Sequence, residues 1–150
     1  MIIDLDPQHF EMLKPQPAQA AANLTCKNAS ALIAGGVAKA CLDRDGHVVS
    51  VAGLFELWPG RGMAWAIFGE RIGVHMVSIV RECRDKIVAS NFHRVEMYLV
   101  RHDDCAAERR LARMLGFRYE CTAVACLPNG NDADVYVWIR QNSQPELQQP

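Results

Sequence analysis

The 150-residue sequence has little excess charge of either sign. Its 16 Lys and Arg nearly balance its 17 Asp and Glu, for a formal net charge of −1. That balance supplies no field to gather nucleic acid or an anionic membrane, so neither is expected as a partner. No apolar stretch is long enough to span a bilayer. Met1-Ile2-Ile3-Asp4 has neither the basic start nor the long apolar core of a signal sequence, which points to a soluble cytoplasmic protein. Cysteine is present (Cys26, Cys41, Cys83, Cys105, Cys121, Cys126), but without C-x-x-C spacing or a His-rich companion. That arrangement argues against structural zinc. Cysteines inside apolar runs read as small buried hydrophobes in a reduced protein. With half its residues hydrophobic, the chain is long enough for one domain with one sizeable core.

What is present divides the chain by texture. Met1 to Leu5 reads as a short strand and Gln8 to Leu13 as one or two helical turns, cut by Pro15 and Pro17. Ala18 to Leu24 and Ser30 to Ala34 read as short helices, the second stopped at Gly35-Gly36. A meander follows: Val37 to Leu42, the turn Asp43-Arg44-Asp45-Gly46, His47 to Trp58, the turn Pro59-Gly60-Arg61-Gly62, and Met63 to Phe68. After Gly69 to Gly73, the positions Ile72, Met76, Ile79, Val80, Cys83 and Ile87 mark one face of a helix. Arg94 to Arg101 alternates, with Val95, Met97 and Leu99 on one side and Glu96 and Tyr98 on the other. Asp103-Asp104 offers capping acids for a helix bearing Ala107, Leu111, Met114 and Leu115. Gly116 ends that helix, Phe117 to Leu127 is strand, Pro128 to Asp132 turns, and Val135 to Ile139 is the last strand. Asn142 to Pro150 reads as a frayed polar tail.

The expected fold is therefore α+β: a mixed, mostly antiparallel twisted sheet flanked by helices. A central strand-helix-strand crossover implies one parallel pair. Residues 1–141 form a single domain and 142–150 a flexible tail. Within the domain, 1–36 forms an N-terminal region of one strand and short helices, and 37–141 the core sheet and helices.

That element order, together with Ala107-Glu108-Arg109-Arg110-Leu111-Ala112-Arg113-Met114-Leu115-Gly116-Phe117, resembles the GNAT superfamily of N-acetyltransferases, whose members run a helix into a strand through a Leu-Gly-Phe joint. LKPQPAQ, GLFELWPGRGMAWAIFG and RRLARMLGF together resemble the small GNAT-like proteins of tailed bacteriophages. The resemblance implies binding of acetyl-CoA and transfer of its acetyl group to an amine of a small molecule or protein. It also implies that residues 1–36 lie on the side expected to receive that acceptor. Main chain at Ala66, Ile67 and Phe68 would grip the pantetheine arm. Arg71, Gly73, Val74 and His75 would form the pyrophosphate turn. The chain departs from the family pattern at Glu70, where the turn carries Arg or Gln, and at His75, where a small residue is usual. It departs again at Ala112, where members carry a tyrosine acid, and near Cys105, where an asparagine is common. Glu56 stands as the candidate base and Tyr119 as the replacement acid; the bland alternatives are a polar-face carboxylate and half-buried packing. His102 beside Asp103 is a further titratable candidate, and Arg109, Arg110 and Arg113 read as a solvated helix face. The resemblance equally allows a non-catalytic phage derivative, acting as an internal virion component or a host-factor binder. Pairing of a strand edge across a homodimer is a third option.

Overall fold

A computed structural model describes residues 1–22, 30–31, 33–101 and 105–141. The expectations placed on Leu24, Cys26, His102, Asp103-Asp104 and the tail fall outside the described residues.

Seven strands form one sheet in the order β1-β2-β3-β4-β5-β7-β6. They are β1 (Ile2–Asp4), β2 (Gly36–Leu42), β3 (Val48–Trp58), β4 (Arg61–Phe68), β5 (Arg94–Val100), β6 (Arg118–Ala123) and β7 (Ala133–Ile139). Helix α1 covers Gln8–Met12, α2 Met76–Ala89 and α3 Ala106–Met114, with 3-10 turns at Pro17–Ala22 and Gly73–His75. β4 and β5 are the parallel pair; the other pairings are antiparallel. The mixed, mostly antiparallel sheet is therefore as the sequence implies.

The differences are local. The turn after Trp58 needs only Pro59 and Gly60, so Arg61 and Gly62 already belong to β4. β6 stops at Ala123, before Ala125 adopts a positive φ of 50°. Two cysteines, Cys121 and Cys126, are exposed rather than buried.

The two faces of the sheet carry different cores. On one, Phe10 and Leu13 of the α1 region pack with Val51 and Ile67, and Phe10 stacks on Trp65 with ring centroids 6.0 Å apart. On the other, Ile79 with Met76 and Cys83 of α2 meets Cys41, Phe68 and Ile72. Farther along that face, Ile87, Ala112 and Phe117 pack with Leu54, Val95 and Tyr136. The helical stripe read from the sequence of α2 is thus the buried one.

The Leu115-Gly116-Phe117 joint closes by two main-chain hydrogen bonds. Phe117 N–H reaches Ala112 O (2.9 Å) and Gly116 N–H reaches Arg113 O (3.0 Å). This is the pair of hydrogen bonds of a left-handed helix cap. Gly116 has φ 91°, where a side chain costs about 1–2 kcal/mol. Phe117 then enters the core, only 3% exposed. The joint is architecture: it fixes where α3 ends over the sheet.

Candidate functional site: a fork between two parallel strands

β4 and β5 pair at Arg61↔Arg94, Gly62↔Val95 and Met63↔Glu96, and there the pairing ends. β4 runs on to Phe68 and β5 to Val100, so the two strands diverge beyond Met63 and Glu96. β3 meanwhile holds the other edge of β4 along its length, from Trp58↔Arg61 to Ser50↔Phe68. Gly69 donates its N–H to Val49 O (2.8 Å). By antiparallel alternation, Met63, Trp65 and Ile67 therefore turn their main chain toward β3, and Ala64, Ala66 and Phe68 turn theirs into the fork. Of the three residues that the sequence nominates as the grip, Ala66 and Phe68 face the gap. Ile67 lies opposite Val51 and spends its main chain on the sheet.

The residues after β4 enter the helix by a tight 3-10 turn. His75 N–H is taken by Ile72 O (2.9 Å) and Met76 N–H by Gly73 O. The donors that a helix start leaves outward are those of Gly73 and Val74. Gly73 has φ 24° with open space beside it, and Val74 is 90% exposed. Arg71 is drawn sideways: its guanidinium lies 3.2 Å from His47 Nδ1 and 3.7 Å from Asp43 Oδ2. Main-chain N–H groups of His47 and Asp45 hold the Asp43 carboxyl below the usual carboxylate range, which keeps it charged toward Arg71.

A cavity of about 340 Å³ is lined by Met76 of α2 and by Ala106, Ala107, Arg110, Leu111 and Met114 of α3. That volume is at the small end for a ligand site. Met76 packs against the same core cluster as Phe68, so the cavity between α2 and α3 shares a neighbour with the end of β4. The lining is apolar except for one guanidinium, Arg110. The three arginines of α3 thus part company. Arg109 bonds Asp134 Oδ2 (3.2 Å), Arg110 lines the cavity, and Arg113 is exposed.

Ala112 occupies the opposite face of α3. It is fully buried in the cluster containing Tyr136, so this position looks into the core and away from the cavity. Tyr136 lies opposite Met97, the first residue of β5 past the vertex. Tyr119 is farther off, on the outermost strand, with β5 and β7 between it and β4. Its hydroxyl lies 3.0 Å from Thr122 Oγ1, and its ring meets Tyr136 edge-on at 5.8 Å. Glu56 is exposed near the end of β3, opposite Gly62, close to the vertex. Glu56 and Tyr119 are not brought together.

The vertex itself holds a group that strand alternation assigns to solvent. Glu96 is 2% exposed and carries ion pairs to Arg61 and to Arg94, whose Nε is 2.7 Å away. Arg94 pairs in turn with Glu120; that carboxylate, ahead of Glu96, raises the Arg94 pKa. Arg61 also stacks on Trp58, 4.2 Å from the ring centroid. Arg94 and Glu96, an i, i+2 pair on one strand, share a face, and that spacing is the local signal for the pair.

None of the cysteines near the fork is set up as a nucleophile. Burial pushes the Cys83 thiol up to about 11 and raises Cys41 as well. Cys105, at the start of α3, is 7% exposed.

No family model matches the chain, and no curated protein sequence matches it. Solved structures do. One assigned as a phosphinothricin N-acetyltransferase superposes with a TM-score of 0.74 at 10% identity, covering 94% of this chain and 98% of that one. A variant of the spermidine N-acetyltransferase of Vibrio cholerae gives 0.66 at 13% identity, covering 93% and 94%. The ribosomal-protein-S5-alanine acetyltransferase of Vibrio fischeri gives 0.64 at 14%, covering 96% and 94%. At such identities the likeness is one of fold: the chain has the mixed sheet and flanking helices of GNAT acetyltransferases. Among the described residues, no helix is long and apolar enough to cross a membrane.

Proposed function

We propose that the protein is an acetyl-CoA-dependent N-acetyltransferase whose cofactor lies in the fork between β4 and β5. The observation that carries this reading is the end of pairing at Met63↔Glu96 beside an open cavity. The groups present fit acetyl-CoA. Strand-edge main chain at Ala64, Ala66 and Phe68 suits the amides of a pantetheine arm. Apolar walls with the single cation of Arg110 suit an aliphatic chain ending in phosphate. The outward N–H groups of Gly73 and Val74 suit the pyrophosphate, with Arg71 and His75 at its flank. When bound, the cofactor supplies an acyl thioester already activated for attack.

The chain's own part is alignment and proton handling. The fork holds the acyl carbon in line with an incoming amine, and such orientation is worth several kcal/mol of barrier. With acetyl-CoA bound, attack of an amine nitrogen on the acyl carbon would break the carbon–sulfur bond and release the thiolate. Glu56, close to the vertex, takes the proton released by the amine, directly or through water. The thiolate leaves without a phenol from position 112.

Melting the full chain with acetyl-CoA at about a hundred times its Kd should raise Tm by roughly 5–10 °C. In Gly73→Trp the indole would stand in the space beside the turn, and the rise should vanish while the unliganded protein still melts cooperatively. A flat response in the wild-type protein and in Gln19→Ala alike would contradict the reading. It would favour a non-catalytic derivative, such as an internal virion component or a host-factor binder of a phage. The buried Ala112 supports that second reading.

A further inference from the structure

The fork edge is not bare. The N-terminal segment after α1 lies along the end of β4 as an improvised strand. Pro15 bridges Gly69 in antiparallel sense, Glu70 N–H reaches Lys14 O (3.0 Å), and Gln16 N–H reaches Phe68 O (2.9 Å). Beyond it, Gln19 presents its carboxamide to β4 in two directions at once. Its Oε1 accepts from Phe68 N–H at 2.7 Å, and its Nε2 donates to Ala66 O at 3.2 Å. A carboxamide bonded in this way is a one-residue copy of an amide strand. These are the gap-facing groups of Ala66 and Phe68, the same residues that would pair with the amides of a pantetheine arm.

Resting on the proposed function, we infer that Gln19 is a self-gate on the cofactor site: the side chain occupies the main-chain edge, and acetyl-CoA enters only when Gln19 leaves. The chemistry permits exchange at modest cost, because one amide replaces another on the same donor and acceptor. Affinity is then reduced by the fraction of molecules in which the edge is free. The Gln19 side chain is the part suited to move, since Lys14 and Gln16 hold the segment itself by main-chain bonds. Pro15 and Pro17 keep it out of regular helix, and the Gln19 contacts join side chain to strand rather than strand to strand. Anything that binds and draws away residues 14–19 would raise cofactor affinity without touching the cavity.

The test is calorimetric titration of acetyl-CoA into the wild-type protein and Gln19→Ala, with amide hydrogen exchange of Phe68 as the second readout. Gln19→Ala is expected to bind on the order of tenfold tighter, since two hydrogen bonds of ordinary net strength no longer compete. Its Phe68 amide should exchange faster than the wild-type amide in the absence of any ligand. Binding by the variant alone would be the gate in its strongest form. Equal or weaker binding by Gln19→Ala, beside a wild-type protein that binds, would overturn the gate and leave the cofactor site standing. Unchanged Phe68 exchange would overturn it too. Absence of binding in both proteins would remove the cofactor site, and the gate with it.

Discussion

Replacing Glu96 by alanine is expected to lower the melting temperature by roughly 10 °C, the largest loss for any single truncation around the fork. Glu96 is the last residue of β5 that pairs with β4 and is 2% exposed. Two guanidiniums converge on it, from Arg61 and Arg94, with side chains only 29% and 23% exposed. Removing the carboxylate leaves both cations partly buried at the vertex, with Glu120 the remaining counter-charge. Breaking a buried pair from one side costs about 3–5 kcal/mol, and about 1 kcal/mol shifts Tm by roughly 2–4 °C in a domain of this size. Glu96→Gln keeps an oxygen acceptor in place and should cost less. If Glu96→Ala melts within two or so degrees of the wild-type protein, the network is not what holds the strands together before they part.

Placing at position 112 the tyrosine that the resemblance to GNAT enzymes implies, by Ala112→Tyr, is expected to fail. The position is fully buried, facing Leu54, Val95, Phe117 and Tyr136 in one cluster. Overpacking such a site costs about 1–3 kcal/mol, and a buried hydroxyl without a partner adds about 1–3 kcal/mol. Denaturant unfolding should register the combined loss as a lower midpoint with an unchanged slope, and acetyl transfer should not improve. A variant as stable as the parent and more active would mean that this face of α3 opens onto the fork. The core around Ala112 would then have to be redrawn.

Much of the architecture was legible because it is written in local patterns. The α2 stripe of Ile79, Val80, Cys83 and Ile87 has the period of a helix with one buried face. The meander from Val37 to Phe68 is punctuated by glycine turns, and Leu115-Gly116-Phe117 can only be a helix end turning into a strand. What escaped depends on long-range pairing. Glu96 alternates with Val95 and Met97, and alternation alone sends it to solvent; two arginines, one of them 35 positions away, give it a buried place. Gln19 sits in an alanine-rich stretch that reads as helix, and nothing local shows that its carboxamide meets a strand 47 to 49 positions later. Arg110 was legible in principle, since Ala107, Leu111 and Met114 share its helical face. Charge instead groups it with Arg109 and Arg113. Residue type alone nominates Glu56 and Tyr119, and spacing along the chain cannot show that two strands separate Tyr119 from the fork.

The central claim is that the diverging edges of β4 and β5 receive acetyl-CoA. Amide NMR of the full chain titrated with acetyl-CoA tests it most directly. The account expects saturable shifts at Ala64, Ala66 and Phe68, at Gly73 and Val74, and along Ala106 to Met114, together with the side-chain amide of Gln19. Saturating shifts confined elsewhere, or none in either the wild-type protein or Gln19→Ala, would contradict it.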